Sequence, residues 1–269
     1  MPRPQSSPTV RKPLAPGRLD AVAVIPARLQ STRIHEKALQ DLGGAPLVVR
    51  VWERVRECEA LREAWVATDS PRIADAVIEA GGEALLTSAD HPSGLDRVAE
   101  AARILADPGA RDSDPVIINV QGDEPFVSLG GLETLLRLFE HPEVRMATLA
   151  APFRDPEEAE NPNRVKVVLD RDGRALYFSR APIPHGYGPL VTPILHVGTY
   201  AYRRRTLLEL AGMPRAPLEE AERLEQLRAL WNGIPIHVAV GDYHSIGIDT
   251  PEDLSRARAR WAEGRNLRP

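Results

Sequence analysis

Cysteine is nearly absent from this sequence, which holds one, Cys58. One thiol cannot close an internal disulfide, so the fold does not depend on an oxidising compartment. Its place in a helical pattern makes Cys58 a small, partly buried apolar residue rather than a nucleophile. No run of 18 apolar residues occurs, which argues against a transmembrane helix. Residues 1–19, MPRPQSSPTVRKPLAPGRL, lack the apolar centre of a signal peptide and read as a flexible tail. Residues 263–269 read as a second tail. Neither G-x-x-x-x-G-K-[ST] nor G-x-G-x-x-G is present, so neither of those phosphate-binding devices is used. The lack of G-x-S-x-G removes a nucleophile elbow. The seven histidines and the cysteine show no zinc spacing. An excess of positive charge is missing too: 34 basic against 38 acidic residues give a net charge of −4. That argues against a nucleic-acid binder with a broad basic face, but leaves room for a small anionic ligand.

What is present is a soluble globular chain of 269 residues, 43% hydrophobic and 27% charged, with enough length for a substantial core. Its most informative stretch is Val22 to Lys37, VAVIPARLQSTRIHEK. The run Val22 to Ile25 is short, apolar and stopped by Pro26, so it reads as a buried strand. The loop after it carries Arg28, Ser31, Thr32, Arg33 and Lys37. A loop leaving a strand end in an α/β sheet sits over the ligand crevice. Fixed cations, hydroxyls and exposed amides there suit a polyphosphate, although a solvated basic loop fits the loop alone as well.

Further along, Pro46 to Glu57 reads as a helix with Leu47, Val51 and Val55 on one face. Ala64 to Thr68 reads as a strand, and Ser70-Pro71 as a helix start. Gly81-Gly82 closes that helix, EALLT forms a strand, and Gly94 to Leu105 a helix. Pro115 to Val120 is apolar throughout, as in a strand buried on both faces. The alternation predicts an α/β fold: a mostly parallel, Rossmann-like sheet flanked by helices. The second half differs. Arg171-Asp172-Gly173 marks a hairpin, Leu195 to Tyr202 a strand, and Pro217 to Trp231 one long helix. IHVAV and SIGID read as strands, and Thr250-Pro251 starts the C-terminal helix. We expect one domain over residues 20–262, with a smaller mixed α/β lobe over roughly 151–235.

Asp123 and Asp249 each follow an apolar run. If both runs join one sheet, the two carboxylates converge at its edge and suit Mg²⁺, which takes one or two carboxylates plus substrate phosphates. Singly, Asp123 fits a turn residue and Asp249 a helix cap. Arg180 is a candidate anion ligand, and His196 and Tyr200 share a strand face. Glu225 and Gln226 sit in the expected long helix, where exposure is the default.

The stretches IPARLQSTRIHEKAL, INVQGDEPFV, NPNRVKVVLD, ALYFSRAPIP, LHVGTYAYRR and GIDTPEDLSRAR occur in an order that resembles the 3-deoxy-manno-octulosonate cytidylyltransferase family, the CMP-Kdo synthetases. The likeness spans roughly Asp20 to Arg260. It implies a nucleotidyltransferase fold, a cytoplasmic homodimer, and CMP transfer from CTP to the anomeric hydroxyl of Kdo, an acidic 2-keto sugar, for lipopolysaccharide-type assembly. No nucleic acid and no membrane enters that chemistry. By position, the resemblance assigns Pro26, Ala27, Arg28, Ser31, Arg33 and Lys37 to the nucleotide, with Arg28, Ser31, Arg33 and Lys37 on the CTP phosphates, and Asp69, Ser93 and Gly94 to cytosine and ribose. It gives Mg²⁺ to Asp123 and Asp249, and catalysis to these two with Arg33 and Lys37. Arg97, Gln121, Arg180, His196, Tyr200, Glu225 and Gln226 would surround the sugar.

Three places depart from the family pattern. His35 and Glu36 stand where the pattern has proline and glycine before the lysine. Either the Glu36 carboxylate turns away from the phosphates, or CTP binding weakens. Leu95 replaces a threonine hydroxyl, and Val197, Thr199 and Ala201 alter the strand beside the sugar. Two alternatives therefore stand beside Kdo: another acidic sugar, such as an amino-Kdo or a nonulosonate, and a non-catalytic nucleotide-binding protein of the same fold.

Overall fold

The structure is a computed structural model, described for residues 19–31, 33–106, 113–186, 192–243 and 247–264. All but Leu19 of the expected N-terminal tail, residues 265–269 of the C-terminal one, and Thr32 lie outside the described residues.

The chain opens with β1 (Ala21–Ala27), α1 (Leu47–Arg56), β2 (Glu63–Thr68), α2 (Pro71–Glu79), β3 (Glu83–Leu86), α3 (Gly94–Ile104) and β4 (Val116–Asn119). The hydrophobic periodicity of these elements explains their form. In α1, Leu47, Val48, Val51, Trp52 and Val55 are buried on one side, each worth ~1.5–3 kcal/mol of burial when fully enclosed. Proline stands at the first position of α2, where its missing N–H costs no hydrogen bond. Next come α4 (Leu129–Leu138), β5 (Met146–Pro152), β6 (Lys166–Leu169), β7 (Ala175–Ser179), β8 (Ile194–Arg203) and α5 (Arg204–Gly212). The chain continues with α6 (Pro217–Glu222), α7 (Leu227–Trp231), β9 (Ile236–Val240) and α8 (Pro251–Ala262).

The main path of the sheet runs β3-β2-β1-β4-β8-β5-β9. Pairing is parallel from β3 through β4, antiparallel on both sides of β8, and parallel again between β5 and β9. The β6–β7 hairpin joins this sheet through β8. Its turn is where the sequence puts it, with Gly173 at φ 77° and its N–H donating to the Asp170 carbonyl. Side chains of β1 alternate between two cores. Ala21, Ala23 and Ile25 face α1, α2, α4 and α8, and Val22 and Val24 face α3, α5 and α7.

Two sequence expectations are corrected. The segment Pro217 to Trp231 is not one helix. Arg223 adopts the left-handed conformation, φ 55°, and separates α6 from α7. A buried ion pair holds the two pieces: both Arg228 Nε and Nη2 donate to the Glu219 carboxylate, at 2.9 and 2.6 Å. The break allows Glu225 to turn toward α3, where it accepts the Leu95 N–H at 3.1 Å. Nor is SIGID a strand in its described part, Gly247 to Asp249; Ser245 and Ile246 lie outside the described residues. Ile248 is fully buried, and its N–H donates to the Asp123 carbonyl at 3.0 Å. That one backbone bond, rather than a sheet ladder, brings Asp249 to Asp123.

Candidate active site

The C-terminal ends of β1 and β4 lead into adjacent loops. Their backbones come so close that a Cβ on Gly122 would lie 2.6 Å from the Pro26 carbonyl oxygen, so the turn after β4 requires glycine there. Above this contact lies a cleft of about 340 Å³. Pro26, Ala27, Arg28, Ser31, Arg33 and Lys37 form one wall. Ser93, Gly94 and Arg97 form another, from the start of α3. Gln121, Asp123, Glu225 and Asp249 complete it.

Lys37 is the hub. Its Nζ lies 2.5 Å from Asp123 Oδ2, 2.9 Å from the Ile248 carbonyl and 3.3 Å from Asp249 Oδ1. Arg33 reaches the other Asp249 oxygen at 3.4 Å. Asp249 is spared from capping α8. Thr250 Oγ1 accepts the Asp253 N–H, and the Asp253 carboxylate accepts the Thr250 N–H in return. The Asp249 side chain, 59% exposed, is therefore left facing the cleft. Among the described residues no three acidic, histidine or cysteine side chains converge.

The start of α3 is ordered from both sides. Ser93 accepts the Asp96 N–H and donates its hydroxyl to the Asp96 carboxylate at 2.7 Å. Glu225 accepts the Leu95 N–H, and burial pushes its carboxyl pKa upward. Arg97 is buried, donates to Thr87 Oγ1 at 2.6 Å and stands 3.5 Å from Asp69. Asp69 is not in the cleft wall. It accepts the Leu29 N–H at 3.1 Å and so supports the cationic loop from beneath.

Of the expected sugar residues, Arg180, His196, Tyr200 and Gln226 do not line the cleft. Gln121 ties the site to β8 by donating to the Gly198 carbonyl at 3.3 Å. On β8, the His196 ring contacts Phe178 and Tyr200 and shares a 3.0 Å hydrogen bond with Thr148. Burial pushes its pKa down to about 3, so the ring is neutral at pH 7. Arg180 is anchored to the carbonyls of Glu222 and Pro162 at 2.8 and 3.0 Å. Gln226 is buried beside Glu225 and does not line the cleft.

The departures at Leu95 and on β8 fall away from the cleft. Leu95 packs into the core against α3's own sheet face. Val197 and Ala201 enter the core on the opposite side of the sheet from Tyr200. At the third departure, the Glu36 carboxylate turns away from Lys37. Arg72 donates to both of its oxygens, one at 2.9 Å. Of the two outcomes left open by the sequence, a carboxylate turned aside is the one observed. The wall also holds Gln30, Ala38, His91, Pro92 and Gly122, to which the sequence reading gave no role. The Ile248 carbonyl and the Arg72 partner carry no sequence signal, since one is backbone and the other is remote in the chain.

Comparison with known proteins agrees with this geometry. The Cytidylyltransferase family matches residues 22–237. A CMP:2-keto-3-deoxy-manno-octonic acid synthetase complexed with CTP superposes with a TM-score of 0.85. It is 40% identical, over 91% of this chain and 99% of that one. A 4-diphosphocytidyl-2C-methyl-D-erythritol synthase from Anaerococcus prevotii DSM 20548 gives a TM-score of 0.61 at 16% identity, covering 91% and 99%. A cytidylyltransferase from Leptospira borgpetersenii serovar Hardjo-bovis gives 0.59 at 16%, covering 91% and 88%. At 16% identity the last two speak to the fold alone. The match over residues 22–237 takes in β1, its cationic loop and the Asp123 turn, and this chain belongs to the cytidylyltransferase family.

Proposed function

We propose that the protein transfers CMP from CTP to the anomeric hydroxyl of Kdo, releasing pyrophosphate and supplying CMP-Kdo for lipopolysaccharide-type assembly. The observation that carries this reading is the Lys37 hub, a fixed cation held by two carboxylates beneath a loop of arginines. The likeness to a CMP-Kdo synthetase holding CTP supports the choice of nucleotide and sugar.

The chain's own groups divide the work. Arg28, Arg33 and Lys37 face the space for a triphosphate and offset its charge. Asp123 and the Ile248 carbonyl hold the Lys37 ammonium in the cleft wall ahead of the substrate. The anomeric hydroxyl attacks the α-phosphorus in line and pyrophosphate leaves, a transfer governed mostly by positioning and charge. Arg97, Gln121 and Glu225 border the same cleft and orient the acid sugar. Neutral His196 behind them offers hydrogen bonding rather than charge.

Mg²⁺ fits this donor set. Asp123 and Asp249 both pair with the Lys37 ammonium in this structure, and with that ammonium turned toward the phosphates the two carboxylates would hold a hard cation whose shell is completed by phosphate oxygens and water. When bound, it polarises phosphoryl oxygens. We assign a cytoplasmic homodimer to the same reading. No helix among the described residues is long and apolar enough to cross a membrane.

The test is a panel of nucleoside triphosphates and 2-keto acid sugars with Mg²⁺. Release of pyrophosphate with CTP and Kdo supports the reading. Release with a different sugar only would move the specificity.

A further inference from the structure

We propose that Arg72 is a positioning residue for the nucleotide loop, holding the Glu36 carboxylate off the phosphate path. This rests on the CTP reading above. Glu36 is the residue before Lys37 and caps the short 3-10 turn Lys37–Leu39 in a left-handed conformation, φ 47° and ψ 46°. That region is disfavoured for a residue with a Cβ and is the natural place of glycine. A glutamate there has two effects. It strains the backbone next to the site's central ammonium, and it sets a negative charge beside a polyanion.

Arg72 answers both. It stands in the first turn of α2, and its guanidinium takes both carboxylate oxygens of Glu36 in a fork. The fork lowers the carboxyl pKa, chiefly through its hydrogen bond, so the group stays ionised and paired. His35, alongside, contributes a more distant contact at 3.9 Å and is 93% exposed. The next residue, Lys37, then reaches Asp123 and Asp249 without the Glu36 carboxylate competing for its ammonium. Because Arg72 is largely exposed, the pair adds little to global stability. Its effect is local and directional.

The experiment measures CTP-dependent pyrophosphate release, with kcat and the KM for CTP resolved, for the native chain, Arg72→Ala, Arg72→Lys, Glu36→Gly and the double variant Glu36→Gly/Arg72→Ala. Thermal unfolding is followed in parallel. Arg72→Ala raises the KM for CTP roughly threefold to tenfold while kcat stays within about twofold, since it frees a charge that repels bound nucleotide. The unfolding temperature is unchanged. Arg72→Lys restores part of the loss. Glu36→Gly alone stays near the native KM, and the double variant returns to it. A native KM in Arg72→Ala overturns the inference. So does a double variant as impaired as Arg72→Ala, because Arg72 would then act on the nucleotide itself. A native chain that releases no pyrophosphate with any sugar overturns the catalytic reading instead.

Discussion

Lys37 Nζ lies 2.5 Å from Asp123 Oδ2, although 86 positions of chain separate the two residues. The contact joins the loop after β1 to the turn after β4, which are neighbours because those strands pair in parallel. It fixes a cation at the floor of the cleft. Replacing it with an apolar side chain of similar length removes the charge without emptying the space. Lys37→Met lowers kcat/KM for CTP by about 10²-fold, the usual scale for losing one preorganised electrostatic group. Steady-state pyrophosphate release measures it, and a loss below threefold would take Lys37 out of the reaction.

Asp249 offers the clearest test of the proposed Mg²⁺ site. Its side chain is exposed, and the capping of α8 is handled by Thr250 and Asp253. Asp249→Asn therefore leaves the unfolding temperature in place while turnover falls by more than about tenfold, with a higher Mg²⁺ requirement. In the native chain, chelation abolishes activity and added Mg²⁺ restores it. Near-native turnover of the variant at saturating Mg²⁺ removes Asp249 from the cation site.

His196 gives the protein a pH signature. Its folded pKa is pushed down to about 3 by burial, against 6.5 for an ordinary histidine. Between those values the unfolded chain binds a proton that the folded one refuses, so stability falls as pH drops from 6.5 towards 3. The contribution approaches ~1.4 kcal/mol per pH unit. Urea unfolding of the native chain and His196→Asn across this window shows a steeper fall for the native chain. Parallel slopes would mean the ring takes up a proton in the folded state.

Much of this was legible beforehand, because apolar periodicity fixes which strands and helices form. The strand around Val22 to Ile25 and the helix around Leu47 follow directly from it, although the strand runs on through Pro26, read as its stop, to Ala27; the Asp170–Arg174 turn follows from Asp172-Gly173. Other elements gave weak signals. Strand β5 is rich in alanine and α4 begins with glycines after its first leucine, so neither was assigned. The break at Arg223 is hidden because arginine favours helix, and only the Glu219–Arg228 pair and the reach of Glu225 reveal it. The meeting of Asp123 and Asp249 was foreseeable as a pairing of acids. Its cause, a single hydrogen bond from Ile248, was not. The orientation of Glu36 is a tertiary fact, since its partner belongs to α2.

The central claim is that this cleft joins CMP to Kdo. Purified protein, CTP, Mg²⁺ and Kdo are mixed, and pyrophosphate and the nucleotide product are quantified together. The account predicts one pyrophosphate and one CMP-Kdo for each CTP consumed, with no release when the sugar is omitted. CTP that binds yet yields no pyrophosphate with Kdo or any other 2-keto acid sugar would contradict it.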